Sequence, residues 1–300
     1  MAPNELPVWF WSSIAFVYGI IVGSFLNVCI YRLPEEQSVV TPPSHCPKCN
    51  TKLRGLDLIP LFSFILLGRK CRYCHTPISW RYFTIELITG LMFVATYLKF
   101  GYTIDFFPYV LFISALIVAF MVDLDCWIIP DQVWIAATIL GLGKDIAHII
   151  AGDPHLLHIP LPFTSFRLPM LESIAGFFLC GGLFYLIAVV SEYFLRPKDE
   201  EALKEWEGAM GGGDVKLAAG TGAILGIMPA LASFFIAVML GAIVGVSLII
   251  GKVIADKKGM PWRTMIPFGP YMVMGSLCVI FFYPQLGMLW NAWVHLVTRI

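Results

Sequence analysis

A chain of 300 residues that is 58% hydrophobic and only 13% charged, with a mean hydropathy of +0.80, lies far from the roughly 25% charged residues of soluble domains. That composition excludes an ordinary water-soluble protein, and the exact balance of 20 basic and 20 acidic residues removes any global charge that would point to nucleic acid. The apolar residues come in blocks near the roughly 20 needed to cross a hydrocarbon core, so the expected fold class is an all-α membrane protein, a polytopic bundle of about eight transmembrane helices.

The first block, Trp9 to Tyr31, is too long for a secretion signal. Glu5 rather than a Lys or Arg precedes it and no small-residue cleavage site follows, so it reads as a retained helix with its N-terminus outside. Further spans are expected at 82–98, 106–122, 132–150, 171–194, 215–228, 231–250 and 266–283. Only Pro229 and Ala230 separate two of these, which predicts a tight hairpin there, with one broken helix as the alternative. Three regions result: a first transmembrane helix at 1–31, a cysteine-rich loop at 32–81, and a membrane core at 82–300.

Orientation follows from basic residues, which are retained in the cytoplasm when they flank membrane helices. Arg32, Lys48, Lys52, Arg54, Arg69, Lys70, Arg72 and Arg81 lie in or beside the first long loop, whereas the next connection offers only Lys99. The loop is therefore expected in the cytoplasm, and alternation places 123–131, 195–214 and 252–263 on the same side and 151–170 outside.

Within that loop, Cys46-Pro-Lys-Cys49 and Cys71-Arg-Tyr-Cys74 have the spacing of two knuckles that together offer four thiolates to a tetrahedral metal, with zinc the expected ion. Two disulfides are the alternative, and a cytoplasmic placement opposes them. Four protein ligands leave no open position, so the metal is expected to fold the loop rather than to catalyse. His45 and His75 adjoin the knuckles as bystanders, and Cys29, Cys126, Cys180 and Cys278 read as packing residues in or beside the spans.

Carboxylates at the ends of apolar helices are costly, which singles out Asp123, Asp125, Asp131 and Asp214. Asp123 closes one span and Asp214 opens another, so both are expected at one membrane depth although 91 residues separate them. Two aspartates that share a site cannot both ionise cheaply; one retains a proton as acid while the other activates water, a pair able to hydrolyse an amide. Gly211, Gly212 and Gly213 would form a substrate-access loop that lets an extended substrate approach, with Lys216 a counter-ion or substrate contact. Asp125 competes for the first position, but helical geometry turns it about 200° from Asp123. Asp131 reads as the N-cap of the following span, and N-capping is also the plainer alternative for Asp214.

These residues together resemble the bacterial type IV prepilin leader peptidase and N-methyltransferase family, membrane aspartic peptidases of the Gly-x-Gly-Asp type. The resemblance rests on Gly23-Ser-Phe-Leu-Asn-Val-Cys-Ile-Tyr-Arg-Leu-Pro34, the paired cysteine loop, Asp123 seven residues before Pro130, and Gly211-Gly-Gly-Asp-Val-Lys-Leu217. It implies that Asp123 and Asp214 are the catalytic pair, that prepilins or pseudopilins are cut at the cytoplasmic face of the bacterial inner membrane, and that S-adenosylmethionine methylates the new N-terminus. No Gly-x-Gly-x-x-Gly unit marks a methyl-donor site; Asn27, Arg32, Arg81 and Glu86 are the polar candidates for it, each equally readable as an interfacial anchor.

The acidic run Asp199 to Glu207 reads as a solvated cytoplasmic helix, with attraction of a basic leader the sharper alternative. Two rival functions remain open in the sequence. An ion-coupled transporter explains the carboxylates but leaves the glycines and cysteines without a role, and a scaffold docked through its metal loop makes the aspartates dispensable.

Overall fold

Uninterrupted apolar runs produce long helices throughout the computed structural model, in which residues 6–153, 156–160, 167–197, 208, 210–255 and 267–297 are described. Among the described residues, seven helices are long and apolar enough to cross a membrane: α1 (Val8–Arg32), α3 (Trp80–Phe100), α4 (Phe106–Cys126), α5 (Asp131–Ile150), α6 (Glu172–Leu195), α8 (Ile227–Ala255) and α9 (Gly269–Val297). A shorter α7 (Gly212–Leu225) occupies the expected span 215–228 but at 14 residues is below crossing length, and α2 (Phe62–Leu66) is one turn within the cysteine loop. The chain is thus an all-α, multi-pass membrane protein. The connection between α5 and α6 contains two short antiparallel strands, β1 (Leu156–Pro160) and β2 (Arg167–Leu171), paired from Leu156 opposite Leu171 to Pro160 opposite Arg167, which the sequence does not foretell. The last helix also continues through Pro284, where the expected span ended.

The contacts divide the chain into two units, Met1–Val122 and Asp123–Ile300. In the first, α1 and α3 run antiparallel at close range. A Cβ added at Gly19 would lie 2.7 Å from the Gly90 Cα, and one at Gly23 would lie 2.8 Å from the Glu86 Cα. Small residues at these crossings allow the backbones to meet without a hydrophobic drive, as helix association in lipid requires. Ala15, Phe93, Phe106 and Val110 form a buried cluster at one end of this unit.

The second unit is built around α7, whose residues Leu217–Leu225 are all buried. Its partners fix its direction. Lys216 meets Asp131, Gly220 packs on Ala137, and the Ile224 carbonyl meets Lys144, so α5 and α7 run parallel. Gly181 packs on Ala219 while Gly176 packs on Gly222, so α6 runs antiparallel to α7.

Glu172, at the start of α6, lies against Gly226, and Phe184, further along, packs on Phe234 at 4.7 Å between ring centroids. Both numbers rise together, so α8 runs with α6 and against α7. The expected hairpin is therefore present, but it turns at Gly226 (φ 81°), which ends α7, and Pro229 falls in the first turn of α8. Gly tolerates the left-handed conformation required at the reversal, and Pro is harmless where no helical donor is lost.

Candidate active site and metal centre

Asp123 and Asp214 both belong to the second unit, one in the last turn of α4 and the other in the first turn of α7. Asp123 is 5% exposed and acts electrostatically on Asp214, which is half-buried. The Gly269 amide lies close enough to act on the Asp123 carboxylate, yet no donor among the described residues closes a hydrogen bond on its Oδ2. A buried carboxylate oxygen left open in this way is costly as structure, which sets Asp123 apart from a packing residue. Asp125, two positions on, is exposed.

The glycine triplet is not a free loop. Gly211 stands at the N-cap of α7, Gly212 and Gly213 form the first turn, and the Asp214 amide donates to the Gly211 carbonyl at 3.1 Å. Asp214 is accordingly inside the helix rather than its N-cap. Gly211 and Gly212 are exposed and a Cβ at Gly212 would meet nothing within 4 Å, so open space borders the aspartate on that side.

Gly213 faces inward, where its Cβ would lie 3.1 Å from Ile129; a Cβ at Gly269 would lie 3.3 Å from the same side chain. Ile129 thus wedges the starts of α7 and α9. Neither Ile129 nor Gly269 was identified from sequence, since nothing local marks an apolar residue before Pro130 or a glycine opening a distant helix as parts of one site.

Lys216 donates to Asp131 Oδ1 at 2.6 Å, and Trp134 Nε1 donates to the same oxygen at 3.0 Å. Asp131 is the first residue of α5, with Pro130 in the capping position assigned to Asp131 from sequence, and its carboxylate ties α5 to α7. At the opposite ends of these helices, Asp145 accepts from the Ser173 amide at 2.8 Å and Lys144 donates to the Ile224 carbonyl at 2.7 Å. An acid thus meets the N-terminus of α6 and a base the C-terminus of α7, each matched to the helix dipole. This pair was also missed from sequence.

In the first unit, the two knuckles are folded alike. Cys46 N donates to Thr51 O and Asn50 N to Cys46 O; Cys71 N donates to Thr76 O and His75 N to Cys71 O. Asn50 and His75 adopt matching φ values of 53° and 56°. The four Sγ atoms of Cys46, Cys49, Cys71 and Cys74 lie within 4.8 Å of one another, and Cys46 and Cys74 are 3.8 Å apart.

Four sulfurs bound at about 2.3 Å in a tetrahedron stand about 3.8 Å apart, so this donor set fits a thiolate-bound metal. The Thr76 hydroxyl and backbone amide hold the Cys74 thiol down to about 6, and Thr51 lowers Cys49 in the same manner. Burial pushes Cys46 up to about 11. None of the eight cysteines is disulfide-bonded; Cys29 and Cys180 are buried, Cys278 is half-buried and Cys126 is exposed. His45 and His75 lie outside the cluster.

Asp57 secures the second knuckle by accepting from Arg72 Nε at 2.6 Å and Tyr73 Oη at 3.0 Å, the two residues between Cys71 and Cys74. Of the four polar candidates for a methyl-donor site, Arg32 and Glu86 brace the loop and Asn27 ties α1 to α3. Asn27 donates to Gly23 O and Tyr82 O, Arg32 to Ser38 O and Pro42 O, and Glu86 accepts from Leu61 N at 2.8 Å. Arg81 lies in the first turn of α3. The acidic run 199–207 falls outside the described residues.

An α-helical multi-pass membrane protein with a buried aspartate at one helix end within electrostatic reach of a second at another, and with a four-thiolate loop, is the class these features define. The chain belongs to the type IV leader peptidase family. The model of that family matches residues 110–246, and a bacterial peptidase A24 N-terminal domain matches residues 17–100. A "prepilin leader peptidase/N-methyltransferase" of Myxococcus xanthus is 36% identical over 83% of this chain and 68% of its own length. Proteins of the same name from Bacillus subtilis, at 30% identity over 88% of this chain and 92% of the relative, and from Aeromonas hydrophila, at 28% over 89% of each, are also similar. No solved structure matches the chain.

Proposed function

We propose that this protein removes leader peptides from prepilins or pseudopilins and methylates the new N-terminus. The observation that supports the proposal is that Asp123 and Asp214 stand at the ends of two helices within electrostatic reach of one another, beside open space at Gly211 and Gly212. One carboxylate takes a proton from water as its oxygen attacks the scissile carbonyl carbon. The other, protonated, delivers its proton to the departing amide nitrogen. The Asp131–Lys216 pair fixes the start of α7 and hence the height of Asp214.

The carboxylates lie at helix ends rather than in mid-span, which favours a surface reaction over the ion path of a transporter. The basic first loop supports a cytoplasmic active face in a bacterial inner membrane. We assign zinc to the cysteine quartet, where it shapes the loop. S-adenosylmethionine would supply the methyl group; Asn27, Arg32, Arg81 and Glu86 stay the candidates for its site, and backbone contacts hold Asn27, Arg32 and Glu86 in place.

The test is cleavage of a prepilin by detergent-solubilised wild type, Asp123→Asn, Asp125→Asn and Asp214→Asn at matched protein levels. Loss of about 100-fold or more in the first and last, with Asp125→Asn active, is expected for an acid–base pair. Retained cleavage in all three variants, or no cleavage by the wild type, would overturn the reading.

A further inference from the structure

Between the two knuckles, residues 55–67 read Gly-Leu-Asp-Leu-Ile-Pro-Leu-Phe-Ser-Phe-Ile-Leu-Leu, an apolar stretch inside an otherwise polar loop. Its large side chains are turned outward: Leu56 is 70% exposed, Phe62 62%, Ile65 64% and Leu66 82%. Its single carboxylate, Asp57, is turned away from that surface toward Arg72 and Tyr73.

The depth of the segment is fixed by its contacts with α3. Leu61 N donates to Glu86, six residues into a helix that begins at Trp80, which at about 1.5 Å per residue is about 9 Å along the axis. Phe64 packs on Trp80 and Phe83 at 5.2 and 5.3 Å between centroids, and the Arg69 guanidinium lies 5.7 Å over the Trp80 ring. The chain therefore descends beside the membrane helix to the level of Glu86 and climbs back to that of Trp80.

We infer that residues 55–67 form a re-entrant segment seated in the membrane interface, with lipid acyl chains as the occupant of its exposed apolar face. The descent matches the roughly 5–10 Å to which interfacial apolar faces enter the headgroup and acyl boundary. Exposed Arg54, Arg69 and Lys70 bracket the segment, as phosphate-bearing headgroups require, and the exposed Tyr31 and Trp80 at the ends of α1 and α3 continue the same aromatic belt.

The backbone meets the demand of an apolar medium that donors be satisfied internally. That holds for its inserted half, from Leu61 on: the amides of Phe62, Ser63, Ile65, Leu67, Gly68 and Arg69 donate to carbonyls of the segment itself, and Glu86 takes that of Leu61. The thiolate centre is thereby held at the bilayer surface, whatever reaction the second unit performs.

The full chain, in nanodiscs of phosphatidylethanolamine and phosphatidylglycerol carrying a diazirine near the acyl carbonyl, tests this directly. Photolysis and peptide mapping should place lipid adducts on Phe62, Ile65 and Leu66 alongside those at Trp80. In an Ile65→Asp, Leu66→Asp variant the adducts at 55–67 should disappear while metal content and the adducts at Trp80 persist. Adducts on α1 and α3 with none on 55–67 in the wild type would overturn the inference. So would wild-type adducts that vanish when a prepilin is added, since a protein would then be the occupant.

Discussion

Gly269 opens α9 directly against Asp123: a Cβ built on it would lie 2.5 Å from the carboxylate Oδ2. Nothing at that distance fits without displacing the acid. Gly269→Ala should therefore lower prepilin cleavage by about 100-fold, the cost of a misplacement of about 1 Å in a reacting group. Alanine favours helix formation, so a simple loss of fold is not the expected cause. Cleavage rate and thermal unfolding measured on one preparation would separate the two, and full activity would refute the crowding argument.

The crossing of α6 and α7 depends on glycine in the same physical sense but away from the carboxylates. A Cβ at Gly222 would meet the Gly176 carbonyl and lie 2.7 Å from Cys180 Cβ, whereas one at Gly182 meets nothing within 4 Å. Gly222→Ala is expected to cost about 1–3 kcal/mol of stability through overpacking, and Gly182→Ala next to nothing. Unfolding in detergent followed by circular dichroism would distinguish them; equal midpoints would mean that the helices separate freely.

Close to that crossing, Asp145 of α5 is 2% exposed and accepts from the Ser173 amide at the start of α6. Asp145→Ala leaves that buried donor unpaired, at an expected cost of about 1–3 kcal/mol. Asp145→Asn keeps an acceptor oxygen and should lose less. Lys144→Met removes a favourable charge from the C-terminus of α7 and should cost about 0.3–1 kcal/mol. An Asn variant as unstable as the Ala variant would show that the charge, rather than the hydrogen bond, matters.

Asp57 offers a pH-dependent test within the metal loop. Burial opposes its ionisation, but hydrogen bonds from Arg72, the Arg54 amide and Tyr73 outweigh that and hold its carboxyl below the ordinary range. Because the folded value is depressed, its stabilising contribution is present above the ordinary value of about 3.9 and is lost as pH falls through the folded one. Asp57→Asn lacks this contribution at every pH, so hydrogen exchange at 70–77 should differ from wild type at neutral pH and converge with it in acid. Metal affinity, read by chelator competition, should fall about 10- to 100-fold, as it does when a group orienting a ligand is lost. Unchanged affinity would leave Asp57 as a surface ion pair only.

The spans, the cysteine quartet and the short roll of aspartates were legible in the chain because each signal is local or chemical. Twenty apolar residues need a bilayer, and two Cys-x-x-Cys pairs carry ligand spacing in their own turns. Gly226 was passed over for Pro229 because the preceding residues are apolar on both sides of the turn, and only packing against Glu172 reveals where the chain reverses. The polar residues Asn27, Arg32 and Glu86 stand out in the chain, but which backbone groups they hold depends on loop and helix packing that the sequence does not record.

By itself, then, the sequence determined that this is a polytopic helical protein with a thiolate loop and with aspartates at helix ends, since hydrophobic length and residue chemistry do not depend on distant contacts. Only the tertiary structure decided that Asp123 is buried and Asp125 exposed, that α7 is the enclosed helix, and that Ile129 and Gly269 close around the acid. The rotation of a helix about its axis, and the neighbour its backbone can touch, are set by side chains from elements remote in the chain, and no periodicity within an all-apolar span records them.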